Sequence, residues 1–202
     1  MVAIIYKDIG GEDDGLPPKY LLLAFYYLKK YPTKHGLAAY LDETEKTALK
    51  WVHVYVKKIQ SLKEQKIKWI FDDLDAHEET FIMSVDGIHC RVWEPRITPS
   101  SGWYSSKYNK SGLVYEIGIA IYHNQVVWVA GPYPAGHNDI QVFKSGLMHK
   151  IPAGKKVIAD EGYPGFPELI SLRNQFDTKL VKEFKGRVKA RHETFNSRLK
   201  AS

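Results

Sequence analysis

Only one cysteine, Cys90, occurs in the 202 residues, and that scarcity excludes several classes at once. No disulfide framework or cysteine zinc site can form within a single chain, and a reducing compartment is the natural expectation. No uninterrupted apolar stretch reaches transmembrane length, so no membrane partner is expected. The N-terminus lacks a basic segment followed by an apolar one, which argues against secretion. Internal repeats and low-complexity tracts are also missing. What is present is ordinary for a globular protein: 44% of residues are hydrophobic, and the length suits one or two domains with a real core.

Charge is spread unevenly. The net value is +6, yet residues 1–16 carry one Lys against four acids, and residues 17–70 carry eleven Lys against four. Residues 71–80 hold five acids and no Lys or Arg. Residues 81–178 nearly balance, and residues 179–202 hold eight bases against two acids. Two basic segments around a near-neutral body suit an anionic polymer gripped at two places. Solvated lysine-rich helices would give the same pattern, so charge leaves the choice open.

The first basic segment has helical rhythm. Residues 20–31 lie between Pro17-Pro18 and Pro32, with Leu21, Phe25 and Leu28 on one face. A short helix is expected over about residues 34–41. Asp42 is then positioned to cap a third helix, with Glu45 three residues on. There Ala48, Trp51, Val52, Tyr55, Val56 and Ile59 make an apolar stripe. Lys46, Thr47, Lys50 and His53 occupy its other side. The pattern fits a helix-turn-helix DNA-binding domain over residues 17–70, or a plain three-helix bundle. Residues 71–80 are expected to be an acidic linker.

Beyond it the period changes to that of strands. Residues 80–85, 113–122 and 125–130 are strand candidates, residues 139–149 a helix, residues 156–159 a short buried strand, and residues 186–200 a basic helix. Three strands, a helix, a fourth strand and later helices is the order of an α/β ribonuclease-H-like fold, a mixed sheet with flanking helices. Its first and fourth strands are neighbours. That places Asp86, after Phe81-Ile82-Met83-Ser84-Val85, beside Asp160, after Val157-Ile158-Ala159, with Glu193 approaching from a helix. Grouped carboxylates repel unless divalent cations neutralise them, as in a two-metal phosphoryl-transfer site.

At this point the motifs resemble a family, the DDE transposases of the PIF/Harbinger type. The matching blocks are Ser84-Val85-Asp86-Gly87-Ile88-His89-Cys90, Trp103-Tyr104-Ser105-Ser106-Lys107-Tyr108-Asn109-Lys110, and Gly131-Pro132-Tyr133-Pro134-Ala135-Gly136-His137-Asn138-Asp139. They continue with Ala159-Asp160-Glu161-Gly162-Tyr163-Pro164-Gly165 and with residues 191–200, from Arg191-His192-Glu193-Thr194-Phe195-Asn196 to Lys200. The resemblance implies a catalytic domain over residues 81–202 and a metal-binding triad of Asp86, Asp160 and Glu193. It implies two Mg²⁺ or Mn²⁺ ions as cofactors, and DNA as partner through terminal inverted repeats and a target site. A homo-oligomer or a second DNA-binding protein encoded by the same element, and a nuclear location, also follow from it.

Other residues receive lesser expectations. Asp139 is the carboxylate that competes with the triad and is expected instead to cap its helix, and His89 and His137 are expected to support or pack around the site rather than bind a metal. Trp103 and Tyr104 are expected in the core, with base stacking as the alternative. Lys107, Lys110, Arg187, Lys189, Arg191 and Lys200 can hold phosphates, or be generic surface bases. Only nine residues follow Glu193, whereas family members continue further, so a C-terminally short catalytic domain is expected. Residues 161–185 leave little room for a full fifth strand. The competing function is a domesticated or truncated DNA-binding protein without cleavage activity, and a remoter one is a nuclease of this fold unrelated to transposition.

Overall fold

The computed structural model describes residues 2–72, 79–94, 96, 100–123 and 125–200. The chain divides into two compact units, one ending at Lys66 and the other spanning Ile67–Lys200. The expected linker therefore does not begin at residue 71. Trp69, Ile70 and Phe71 pack into the second unit's core, with Phe71 buried, and residues 73–78 lie outside the described residues.

The first unit is helical: α1 (Val2–Asp8), α2 (Lys19–Lys30), α3 (Lys34–Ala39), α4 (Glu45–Ser61) and α5 (Lys63–Lys66). It starts earlier than residue 17, because Ile9, Ile5 and Tyr6 join its core. Prolines set where α2 begins, and Tyr31 ends it in the left-handed conformation with its N–H on the Tyr27 carbonyl. Leu21, Leu23 and Ala24 of α2 close on Ala48, Val52 and Tyr55 of α4. Tyr20 stacks on Trp51 at 4.8 Å, and the Tyr55 hydroxyl donates to the Pro17 carbonyl at 2.7 Å. The cap of α4 differs from expectation. Thr44, in extended backbone, accepts from the Thr47 N–H at 3.2 Å. Asp42 adopts φ 53° two residues earlier and makes the turn rather than the cap.

The second unit is α/β, with a mixed six-stranded sheet between helices, an arrangement compatible with a ribonuclease-H-like fold. Its strands are β1 (Phe81–Arg91), β2 (Tyr104–Ser105), β3 (Lys110–Ala120), β4 (Val126–Pro134), β5 (Lys156–Ile158) and β6 (Ile170–Ser171), with helices α6 (Asp139–Ser145) and α7 (Lys179–Lys200). β3 runs antiparallel to both β1 and β4, β5 runs parallel to β1, and β6 parallel to β5. The last strand is only two residues long, Ile170 and Ser171, so the short segment after Asp160 holds a minimal strand and not a full one.

Period-two alternation decides the faces. Met83, Val85, Val127 and Val157 join Phe143, Leu147 and Tyr163 in one core. On the other face Ile88, Ile117 and Ile119 meet Phe195, while Ile121 and Ile158 meet Val188, so α7 covers that side. α7 is longer than expected from the sequence, which placed its start at residue 186 rather than Lys179.

Candidate functional site

Asp86 and Asp160 lie where two parallel strands part. The β1–β5 ladder ends with Ser84 opposite Ile158, and each aspartate stands two residues further along its own chain. β1 itself continues to Arg91 on its β3 side, pairing Asp86 with Ile117, so Asp86 sits within the strand rather than at its end. The fork leaves a narrow cleft of about 20 Å³, room for one water-sized particle. Asp86 and Asp160 line it together with Ser84, Lys189, His192 and Glu193.

Both aspartates are held by short local bonds. The Gly87 N–H donates to Asp86 Oδ1 at 2.8 Å, and the Gly162 N–H donates to Asp160 Oδ1 at 2.8 Å. Asp86 has a second, distant partner: Asn196 Nδ2 of α7 donates to its Oδ2 at 2.9 Å. Burial pushes the Asp86 carboxyl up to about 6, with the neighbouring Asp160 charge adding to it and the Gly87 N–H opposing it.

Asp139 is the unexpected member. It does not cap α6. Asn138 does, in a capping box in which Asn138 Oδ1 accepts from the Gln141 N–H and Gln141 Oε1 accepts from the Asn138 N–H, both at 3.0 Å. Freed from that task, the Asp139 carboxylate wedges between two glycines. A Cβ at Gly87 would lie 2.5 Å from its Oδ1, and one at Gly162 would lie 2.5 Å from its Oδ2 and 3.0 Å from Asp160 Oδ1. A methyl at either position would force the carboxylate to shift. Burial raises its pKa, Lys107 opposes that from 3.8 Å, and Asp160 raises it further.

Glu193 reaches the same cleft from α7 but remains exposed. Among the described residues, no three His, Cys, Asp or Glu side chains are already arranged to hold a metal ion. The donor set nevertheless suits one. Asp86, Asp160 and Glu193 offer the oxygen ligands that hard divalent cations take, and next to them two buried atoms, His192 Nε2 and Asn196 Oδ1, have no hydrogen-bond partner. His192 bonds Ser84 Oγ through Nδ1 at 2.8 Å. Ser84 Oγ in turn donates to the Ile119 carbonyl at 3.5 Å, which makes Nδ1 the donor and leaves Nε2 an acceptor. Burial, and then the Arg191 charge, push this imidazole down to about 4, so it is neutral near pH 7.

The basic residues separate into groups. Lys189 is exposed and lines the cleft, Arg187 is exposed elsewhere on α7, and Lys107 and Lys110 are exposed around the β2–β3 turn. Arg191 faces inward instead. Its Nη1 donates to the Ile121 carbonyl at 3.0 Å and its Nη2 to the Ala120 carbonyl, clamping α7 to the end of β3. In the helical unit Lys46 and Lys50 are exposed on α4, Lys50 with its ammonium 5.5 Å from the Trp51 ring centre. Thr47 is half-buried and tied to Thr44 through both its N–H and its hydroxyl. Of the two histidines expected around the site, His89 lies tilted against Tyr108 with ring centres 4.6 Å apart, and His137 lines a cleft with Asp139 and Asp160, its Nδ1 3.0 Å from the Pro134 carbonyl. Tyr104 is exposed, not in the core, and Trp103 is half-buried.

Two partners escaped sequence reasoning, Asn196 and the His192–Ser84 pair, while Asp139 reads from sequence as a competing carboxylate but one assigned to the cap. Both missed partners left a signal. His192 and Asn196 sit at i, i+4 on one helix face, and both are buried although polar. Compared with protein-family models, with curated proteins and with solved structures, the chain matches none of them.

Proposed function

We propose that the chain is a metal-dependent DNA endonuclease of the transposase type, with a DDE triad of Asp86, Asp160 and Glu193 on a ribonuclease-H-like fold. One observation carries the reading: these three carboxylates, from β1, the end of β5 and α7, line one cleft. The reaction is hydrolysis of a DNA phosphodiester, followed by strand transfer from the freed 3′-hydroxyl. Two Mg²⁺ or Mn²⁺ ions, held by the triad, would supply activation of the attacking oxygen and stabilisation of the leaving one. The protein's own groups do the rest. Asn196 and the Gly87 N–H fix the Asp86 carboxylate by one hydrogen bond on each oxygen. Lys189 and Lys107, each lining a cleft with Asp160, offer charge for the phosphates that flank the scissile bond.

On this reading the first unit is a helix-turn-helix DNA-binding domain, in which Lys46 and Lys50 of α4 face the duplex. Terminal inverted repeats of a mobile element, in the nucleus, are then the DNA partner. The deciding experiment is a Mg²⁺-dependent nicking assay on such DNA. Asp86→Asn should abolish nicking and leave binding intact, and cleavage retained in that variant refutes the role.

The exposure of Glu193 favours a second reading, a DNA-binding descendant that no longer cuts. It predicts the same binding and no metal-dependent nicking by the unaltered chain.

A further inference from the structure

A second, wider cleft of about 450 Å³ opens beside Asp139 and Asp160, and the proposed cleavage reaction draws on only one of its lining residues, Lys107. Its size falls in the range of about 300–1,000 Å³ that accepts drug-sized organic groups. One wall is β2 with the turn that follows it, carrying Tyr104, Lys107 and Tyr108, and the other is the β4–α6 loop with Gly136, His137 and Asn138. The walls are locked together. The Gly136 N–H donates to the Gly102 carbonyl at 2.8 Å, so closely that a Cβ at Gly136 would lie 2.5 Å from that oxygen.

The aromatic rings in this cleft are differently placed. Tyr108 is backed by His89 at 4.6 Å, and the Lys107 and Lys200 ammonium groups stand 5.6 and 5.9 Å from its ring centre. Tyr104 is 47% exposed, and among the described residues no other aromatic ring stacks on it. An open aromatic face on Tyr104, one lining cation in Lys107, which stands 3.8 Å from Asp139, and a floor continuous with Asp160 is the combination that stacks a planar base while holding its phosphate.

We propose that this cleft is a binding site for one unpaired nucleotide of the DNA strand next to the scissile phosphate, with its base stacked on Tyr104 and its phosphate held by Lys107. The inference rests on the endonuclease reading and adds to it. The enzyme recognises DNA whose pairing is opened at the cleavage point, and Tyr104 sets that preference.

The test uses the full chain carrying Asp86→Asn, so that binding is read without cleavage. Two duplex probes of the same sequence are compared, one fully paired and one with a single unpaired nucleotide. The expected result is about tenfold tighter binding of the unpaired probe, the order that one base–aromatic stack provides. Adding Tyr104→Ala should reduce that ratio to near one without weakening binding of the paired probe, and adding Tyr104→Phe should preserve it. Equal binding of the two probes before any change at Tyr104 overturns the nucleotide site and leaves the endonuclease reading standing. Equal loss of both probes in Tyr104→Ala also overturns it, by showing a general rather than a stacking role. Failure to bind either probe overturns both readings together.

Discussion

The Asn196 side-chain amide donates a 2.9 Å hydrogen bond to Oδ2 of Asp86, joining the last helix to the first strand across 110 positions of sequence. Through it the carboxylate at the sheet fork has its orientation fixed from outside its own strand. Asn196→Ala should therefore lower nicking by about tenfold, the order of a lost hydrogen bond to a charged group. The loss should appear mainly as a raised Mg²⁺ requirement. Measuring rate against Mg²⁺ concentration checks this. An unchanged half-saturating concentration would show that Asn196 serves packing alone.

Gly162→Ala tests the wedge around Asp139. The new methyl would meet Asp139 Oδ2 at 2.5 Å and Asp160 Oδ1 at 3.0 Å, and one of the carboxylates must move. Overpacking of this kind costs about 1–3 kcal/mol. A lowered thermal midpoint, together with weaker metal-dependent activity, is expected. Gly154→Ala provides the contrast, since its Cβ meets open space and its strain is purely backbone, at φ 78°.

Glu116 lies fully buried in β3, accepting from Trp128 Nε1 at 2.9 Å, and burial pushes its carboxyl up to about 7. Its folded form holds a proton that the unfolded chain releases near 4.5. Folding is thus favoured at the lower pH, and that advantage is lost as pH rises from about 4.5 through about 7. Glu116→Gln should flatten this part of the stability profile and stabilise the protein at pH 8 by about 1–3 kcal/mol. Denaturant midpoints at pH 5 and pH 8 measure it. A variant as pH-dependent as the parent between those values would contradict the assignment.

Arg191 and Lys189 are neighbours in sequence with opposite tasks. Arg191→Met removes the two bonds to the Ala120 and Ile121 carbonyls, which should cost about 2 kcal/mol of stability and leave the salt dependence of DNA binding unchanged. Lys189→Met should do the reverse, reducing the slope of binding against salt by about one ion and leaving the melting temperature alone. Calorimetry and salt-titrated binding separate the two.

Much of this unit was legible in sequence because strand alternation and two parallel neighbours fix where Asp86 and Asp160 fall. Met83 and Val85 point one way and Ser84 and Asp86 the other, whatever else the chain does. Asp139 was misread because an Asp opening a helix resembles a cap, while Asn138 one position earlier took that role with Gln141 as its reciprocal partner. Asp42 failed for a similar reason: Thr44 lay closer to the first helical turn. Arg191 read as a phosphate ligand because sequence shows its charge and not the carbonyls it faces. The helical unit's first helix was missed since residues 1–16 carry four acids against one Lys, yet Tyr6 and Ile9 still pack into its core.

The position of Trp69 and Phe71 has a practical side. Trp69 meets Phe71 edge-on at 5.1 Å and Trp128 at 6.2 Å, so the residues ahead of the first strand plug the base of the sheet. A fragment trimmed to residue 81, as the strand pattern invites, would leave an apolar hole under Trp128 and should aggregate. One beginning at Ile67 keeps the plug and is the piece to express for crystals.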